Sequence, residues 1–230
     1  LALTVADNGY LAMGSVSLLD FAARKETTKS VITPFPLGKL GMPPSSRDGD
    51  VSFTRNDMRL TFEKHGSERL LSVWVKAFED GMTLEGELIL EQPGDMESVA
   101  IATPFHKPRR FYYNQKVNCM PAKGTLQLGD RTIAFGPKER EMSGMDAGET
   151  TQENAFGVLD WGRGVWTYRN TWYWGSASGL INGTPFGFNI GYGFGDTSSA
   201  SENVLFYRGK AHKLEQVTFH MPDDDLLKPW

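Results

Sequence analysis

From Phe186 to Phe194 the chain alternates without a break. Phe186, Phe188, Ile190, Tyr192 and Phe194 hold the even positions, and Gly187, Asn189, Gly191 and Gly193 the odd ones. A two-residue period is the repeat of a β-strand, whose successive side chains point to opposite faces. One face of this strand is wholly apolar. On the other, Asn189 is the only functional side chain. Glycine inside a strand marks a bend or a close approach by another backbone or a ligand. In the preceding segment Trp166, Tyr168, Trp172 and Trp174 share one parity, with Arg169 and Thr171 on the other. Ile181-Asn182-Gly183-Thr184 lies between the two runs, and Asn-Gly is the strongest short hairpin signal. The pattern therefore predicts an antiparallel hairpin pairing 165–180 with 185–195.

The same logic predicts strands near 10–20, 51–55, 58–64, 70–78, 83–91, 99–103, 111–118, 125–128 and 131–135. Late strands are predicted near 203–208 and 214–220, joined through Arg208-Gly209-Lys210. In 83–91, Leu84, Leu88 and Leu90 oppose Thr83, Glu85, Glu87 and Glu91, a half-buried pattern. Glu79-Asp80-Gly81, Gln92-Pro93-Gly94-Asp95 and Leu128-Gly129-Asp130 supply turns. No helix of ten or more residues stands out, and no fixed-period repeat is present. Two stretches read as loops: 34–50 and 137–154. The second is long for a hairpin connection and marks a domain boundary or a lid. With 25 glycines and 12% aromatic residues, the chain reads as all-β, a barrel or sandwich with tight turns. Its 230 residues suffice for one large β domain or two small ones, here taken as 1–136 and an incomplete 137–230.

Charge and motif content remove several function classes. A net charge of −4 and a pI near 5.6 argue against nucleic acid as the main partner, which needs a basic face. No polybasic run reads as a membrane anchor, and no stretch of 18 apolar residues reads as a transmembrane segment. The lone Cys119 permits no intrachain disulfide, which fits a reducing cytoplasm. His65, His106, His212 and His220 are scattered, so no metal site is expected. No cofactor is expected either. Gly191-Tyr192-Gly193-Phe194-Gly195 lacks the helix that a dinucleotide loop requires. Ser176-Ala177-Ser178-Gly179 lacks the Gly-x-Ser-x-Gly elbow of a serine hydrolase. The chain begins at Leu1 and ends at Lys228-Pro229-Trp230, and it reads as part of a longer protein. Nothing in it sets an oligomeric state.

The residues that carry chemistry cluster late. Asp160-Trp161-Gly162-Arg163-Gly164-Val165-Trp166 gathers an acid, a guanidinium and two indoles. In a strand, Asp160 and Trp166 point one way and Trp161 and Arg163 the other. A carboxylate against aromatic walls would have a raised pKa and serve as a general acid. Alternatively, Asp160 caps a turn or pairs with Arg163 or Arg169. Tyr112, Asn114, Lys116 and Asn118 form a polar ladder on one strand face, opposite Phe111, Tyr113 and Val117. Inside a barrel it would orient a ligand; outside it is a solvated face. Asp196 and Glu202 are further acids at one barrel mouth, or ordinary turn residues in Gly195-Asp196-Thr197-Ser198-Ser199. Trp161, Trp166, Trp172 and Trp174 are core, or the walls of a pocket for a mixed apolar and polar ligand. Asn189, alone on its bare face, joins the candidate ligand contacts.

These strings resemble a large, uncharacterised bacterial family, a domain of unknown function. The resemblance rests on Asp160–Trp166, Trp172-Tyr173-Trp174-Gly175-Ser176-Ala177-Ser178-Gly179 and Phe186–Thr197. Phe111-Tyr112-Tyr113-Asn114 and Asn118-Cys119-Met120-Pro121-Ala122 add to it, and it spans nearly the whole chain. A Trp-Gly motif followed by a Trp-x-Trp strand is similar, more distantly, to tandem lipocalin-like (calycin) proteins related to carotenoid hydratase. That likeness implies antiparallel barrels holding hydrophobic ligands. The His-Asp-His-x-Trp-Gly motif of the hydratase-like group is not reproduced. Gly157, Val158, Leu159 and Asp160 precede Trp161-Gly162, so only Asp160 offers a carboxylate.

The expectation is a protein that binds a hydrophobic or amphipathic small molecule, lipid- or isoprenoid-like, in an aromatic-lined cavity. The alternatives are a hydratase, isomerase or cyclase using Asp160 as acid, and a carbohydrate-active protein using Asp196 or Glu202.

Overall fold

Asn182 and Gly183 both take positive φ, 50° and 73°, as the central residues of a type I′ hairpin turn require. This computed structural model describes residues 1–137, 149–152 and 154–220, and these hold sixteen strands. They are β1 (Ala2–Asp7), β2 (Leu11–Asp20), β3 (Lys25–Pro34), β4 (Val51–Arg55), β5 (Met58–His65), β6 (Glu68–Glu79), β7 (Met82–Glu91), β8 (Val99–Pro104), β9 (Phe111–Leu128) and β10 (Arg131–Phe135). Then follow β11 (Glu149–Gln152), β12 (Phe156–Val165), β13 (Tyr173–Ile181), β14 (Thr184–Tyr192), β15 (Val204–Tyr207) and β16 (Lys210–Lys213). No helix among the described residues is long and apolar enough to cross a membrane.

The strands form three sheets. One is the meander β1-β2-β3. The second runs β4-β5-β6-β7-β9-β10-β11, with β8 and β12 also paired to β9, and the third is β13-β14-β15-β16. All pairings are antiparallel except β10 with β11. The expected closed barrel is not found: β4 and β11 stand at opposite ends of an open path. The layers pack face to face instead. Ala12 and Val16 of β2 meet Phe53, Met58, Leu60, Val75, Leu84 and Leu126 in the main core. Gly14 lies between them on β2, and a Cβ there would stand 2.4 Å from the Phe53 ring. That face carries small residues so the aromatic ring can seat.

The eighteen-residue β9 joins two layers. Its second half pairs with β7 and β10; its first half pairs with β8 and β12. Between the halves, Cys119 takes φ 60°, and the β12 register slips between Gly157 and Leu159. This is a β-bulge, which bends a strand and re-aims its side chains. The bend carries the first half over the β13–β16 sheet, where Val99, Cys119, Val204 and Phe206 make a second core. Backbone bonds tie the layers at their edges, from Asp196 N to Pro104 O and from Glu97 N to Gly209 O, each 2.8 Å. Strands β8 and β9 therefore serve this second sandwich although they precede residue 137.

The predicted strands from 51 to 135 lie within a few residues of β4 to β10. The pair at 111–118 and 125–128 is one bent strand. Residues 166–172 are connection, since β12 ends at Val165 and β13 starts at Tyr173; β16 ends at Lys213, so 214–220 is not strand. The predicted lid at 137–154 falls mostly outside the described residues.

Candidate functional site

The second sandwich turns two bare faces toward each other. On β14 the buried residues are Gly187, Asn189 and Gly191, not the Phe188 and Ile190 between them. A Cβ on Gly187 would stand 2.6 Å from Cys119 Sγ, so glycine is what lets β9 approach β14. On β9 the polar ladder points inward: Asn114, Lys116 and Asn118 are 1%, 3% and 1% exposed. In β12, Gly162 faces Asn114 and Gly164 faces Tyr112. A Cβ at 162 would collide with the Tyr112 ring at 2.4 Å. The two glycines of Trp161-Gly162-Arg163-Gly164 thus make room for Tyr112 and for the Trp166 indole.

These faces hold one connected polar cluster. Lys116 Nζ donates to Asp160 Oδ1 on the neighbouring strand. It lies 3.7 Å from Glu202 Oε2 and 5.0 Å from the Trp174 ring centroid, a cation–π distance. Asn114 Nδ2 donates to Glu202 Oε2 at 3.0 Å. Trp174 Nε1 donates to Asn189 Oδ1 at 2.8 Å, and Asn189 Nδ2 to the Glu202 carbonyl at 2.9 Å. Asn203 Oδ1 accepts from Gly191 N at 2.7 Å. Deeper in, Asn118 Nδ2 donates to Ser176 Oγ at 2.7 Å and to Phe188 O at 3.0 Å. Burial, then the charges of Asp160 and Glu202, push the Tyr112 phenol far above its ordinary pKa. It stays a neutral hydroxyl. Two amide oxygens in this cluster, Asn114 Oδ1 and Asn118 Oδ1, are buried without a hydrogen-bond partner, an arrangement that proteins otherwise avoid.

Above the polar floor, Phe194 is the hub of an aromatic cluster. Its centroid lies 4.8 Å from Tyr112, 5.0 Å from Trp172, 5.3 Å from Phe105 and 5.4 Å from Trp166, all edge-to-face, the arrangement aromatic pairs favour. A cleft opens between rings and floor. Its walls include Tyr112, Trp172, Tyr192 and Phe194, and Thr103, Asn114 and Glu202 supply polar atoms. Its free volume for water centres is about 20 Å³, room for one or two waters.

Among the sequence candidates, the cleft and its floor bring together Tyr112, Asn114, Lys116, Asp160, Trp166, Trp172, Trp174, Asn189 and Glu202. Trp161 and Arg163 face the other way. Trp161 stacks edge-to-face on Tyr113 at 5.6 Å, and Arg163 Nη1 reaches Pro44 O at 3.4 Å. Asp196 closes its own turn by accepting from Ser198 N at 3.0 Å, and that bond lowers its pKa. Asp160 pairs with Lys116, rather than with Arg163 or Arg169 as weighed from sequence. Thr103, Tyr192 and Asn203 were not foreseen. Tyr192 and Phe194 lie in the alternating run, but no signal picked out Thr103 or Asn203. No group of His, Cys, Asp and Glu among the described residues is placed to hold a metal.

A family model described as a domain of unknown function, DUF2804, matches residues 1–230. Neither curated proteins nor solved structures give a match.

Proposed function

The chain belongs to the DUF2804 family, and from the geometry of its cleft we propose that it binds a small amphipathic molecule between β9 and the β13–β14 hairpin. The observation that carries this is the unpartnered Asn114 Oδ1, buried under a cluster of aromatic rings. An orphaned buried acceptor costs about 1–3 kcal/mol, and a ligand donor would relieve it. Aromatic walls over a few convergent polar groups are the usual make-up of small-molecule sites. The volume favours a head group over a whole lipid chain. The apolar part would lie against Trp166 and Trp172, which are 42% and 55% exposed.

We also infer that the fold is related to the lipocalin-like proteins, on the sequential antiparallel order β4-β5-β6-β7, which such meanders share. The unpaired Cys119 supports a cytoplasmic location.

A second reading, an enzyme on the same ligand, draws on Asp160. Its side chain is 46% exposed beside a buried ammonium, where it could exchange a proton with a bound molecule. Asp160→Asn separates the two readings: binding alone predicts retained affinity and no turnover in either protein, while the enzyme reading predicts retained affinity and lost turnover.

Gentle purification of the full-length protein, then native mass spectrometry and denaturing extraction, tests the proposal. One stoichiometric amphipathic compound is expected. A protein that stays empty, with tryptophan fluorescence unmoved by alkyl or isoprenoid compounds, would count decisively against it.

A further inference from the structure

We propose that the floor of the cleft is a receptor for a primary ammonium group, so that the small molecule it takes is an alkyl- or arylamine. This rests on the reading of the cleft as a small-molecule site and names the chemistry of the head group.

Around Asn114 and Glu202 the free hydrogen-bonding capacity is that of acceptors, beside the hydroxyls of Thr103 and Tyr112, which can donate or accept. Asn114 gives its Nδ2 protons to Glu202 and leaves Oδ1 without a donor. Glu202 receives Asn114 at Oε2, while no hydrogen bond reaches Oε1 among the described residues. Thr103 lines the same space. A ligand anion could take a proton from the Thr103 or Tyr112 hydroxyl, but it would lie against the Glu202 carboxylate and Asn114 Oδ1 with no free cation to offset the repulsion. A hydroxyl head could satisfy one acceptor but has a single proton to give. An –NH₃⁺ group carries three donors and a full charge, and charge-assisted hydrogen bonds are roughly twice as strong as neutral ones.

The two nearby cations are already committed. Lys116 is bonded to Asp160. Lys213 Nζ is turned to Ser201 Oγ at 2.7 Å and to the carbonyls of Ser201 and Asn203. Lys116 also shows what this cluster does with an ammonium: it holds one between two carboxylates and an indole face. The cleft repeats those elements, with Glu202 Oε1 as the carboxylate oxygen and the rings of Tyr112, Trp172 and Phe194 as the aromatic wall. A quaternary head is excluded by size and chemistry together. It has no N–H to give Asn114, and a space of about 20 Å³ for water centres suits a head no larger than about one or two waters.

Calorimetric titration of the full chain at pH 7 with hexylamine, hexanol and hexanoate is the test. Hexylamine is protonated at this pH, as a lysine side chain is. Hexylamine is expected to bind at least about tenfold more tightly than hexanol, and hexanoate least. Glu202→Gln, checked for folding by circular dichroism, should abolish the preference. Trp172→Ala, at an exposed rim position, should weaken the amine and the alcohol alike. Should Glu202→Gln fail to fold, the ranking of the three compounds in the unaltered protein decides. Equal affinities for amine and alcohol, or hexanoate binding best, would overturn the ammonium assignment and leave the small-molecule site standing. No binding of any of the three would overturn both.

Discussion

Gly124→Val is expected to cost the protein about 4 kcal/mol or more, a large fraction of the stability of a typical domain. Gly124 sits at φ 132° on β9, where side chains are strained. A Cβ there would stand 2.2 Å from Glu87 O, and one on Gly86 would stand 2.1 Å from Thr125 O. Both blocking atoms are backbone of the facing strand, so no rotamer change can relieve the collision. The two glycines lie two residues from each other's cross-strand partners, since Gly86 pairs with Leu126 and Gly124 with Leu88. They let β7 and β9 approach closely along the second half of β9. Urea unfolding read by circular dichroism checks this. A midpoint within error of the unaltered protein would mean that β7 and β9 do not approach as closely as described.

Lys116→Met should be the next most damaging change, with a loss of about 3 kcal/mol. Breaking a buried ion pair by removing one partner typically costs 3–5 kcal/mol, because the other charge is left uncompensated. The low end applies because Asp160 is half-exposed and can rehydrate, whereas the Glu202 side chain is only 16% exposed. Glu202 is therefore the group left stranded. Adding Glu202→Gln to Lys116→Met should restore part of the stability, a coupling that a double-mutant cycle measures. If the double variant is less stable than the unaltered protein by the full sum of the two single losses, Lys116 and Glu202 do not interact and the cluster is misdrawn.

What the sequence revealed follows from how far apart the deciding residues lie. The alternation at 186–194 identifies β14, and Asn182-Gly183 fixes its turn, because both signals are local. Which face of β14 is inward was not legible. An apolar stripe opposite glycines reads as a core face, yet Gly187, Asn189 and Gly191 are the buried ones. Their bareness is what allows the polar ladder of β9 to enter. Strand β3 escaped notice because Lys25, Glu26, Thr27, Thr28, Lys29 and Ser30 carry no apolar alternation; it is held by register to β2 and lies at a sheet edge. The continuity of β9 was hidden by its own bulge at Cys119, which breaks the two-residue period. In the site, Asp160 and the ladder stood out as residue types. Their union did not, because Lys116 meets Asp160 only through the β9–β12 register, and Glu202 arrives from the connection between β14 and β15. Lone acids and ladders say little until pairing fixes which of them share a face.

On this reading the cleft between β9 and the β13–β14 hairpin is where a small molecule binds. Backbone amide chemical-shift mapping of the full chain titrated with hexylamine and, separately, with hexanol tests it most directly. For whichever compound binds, the largest shifts are predicted at 101–103, 112–114, 172–173, 191–197 and 202, with β1–β6 unmoved. Saturable shifts confined to the layer between β1-β2-β3 and the larger sheet, or no saturable shift with either compound, would contradict the account.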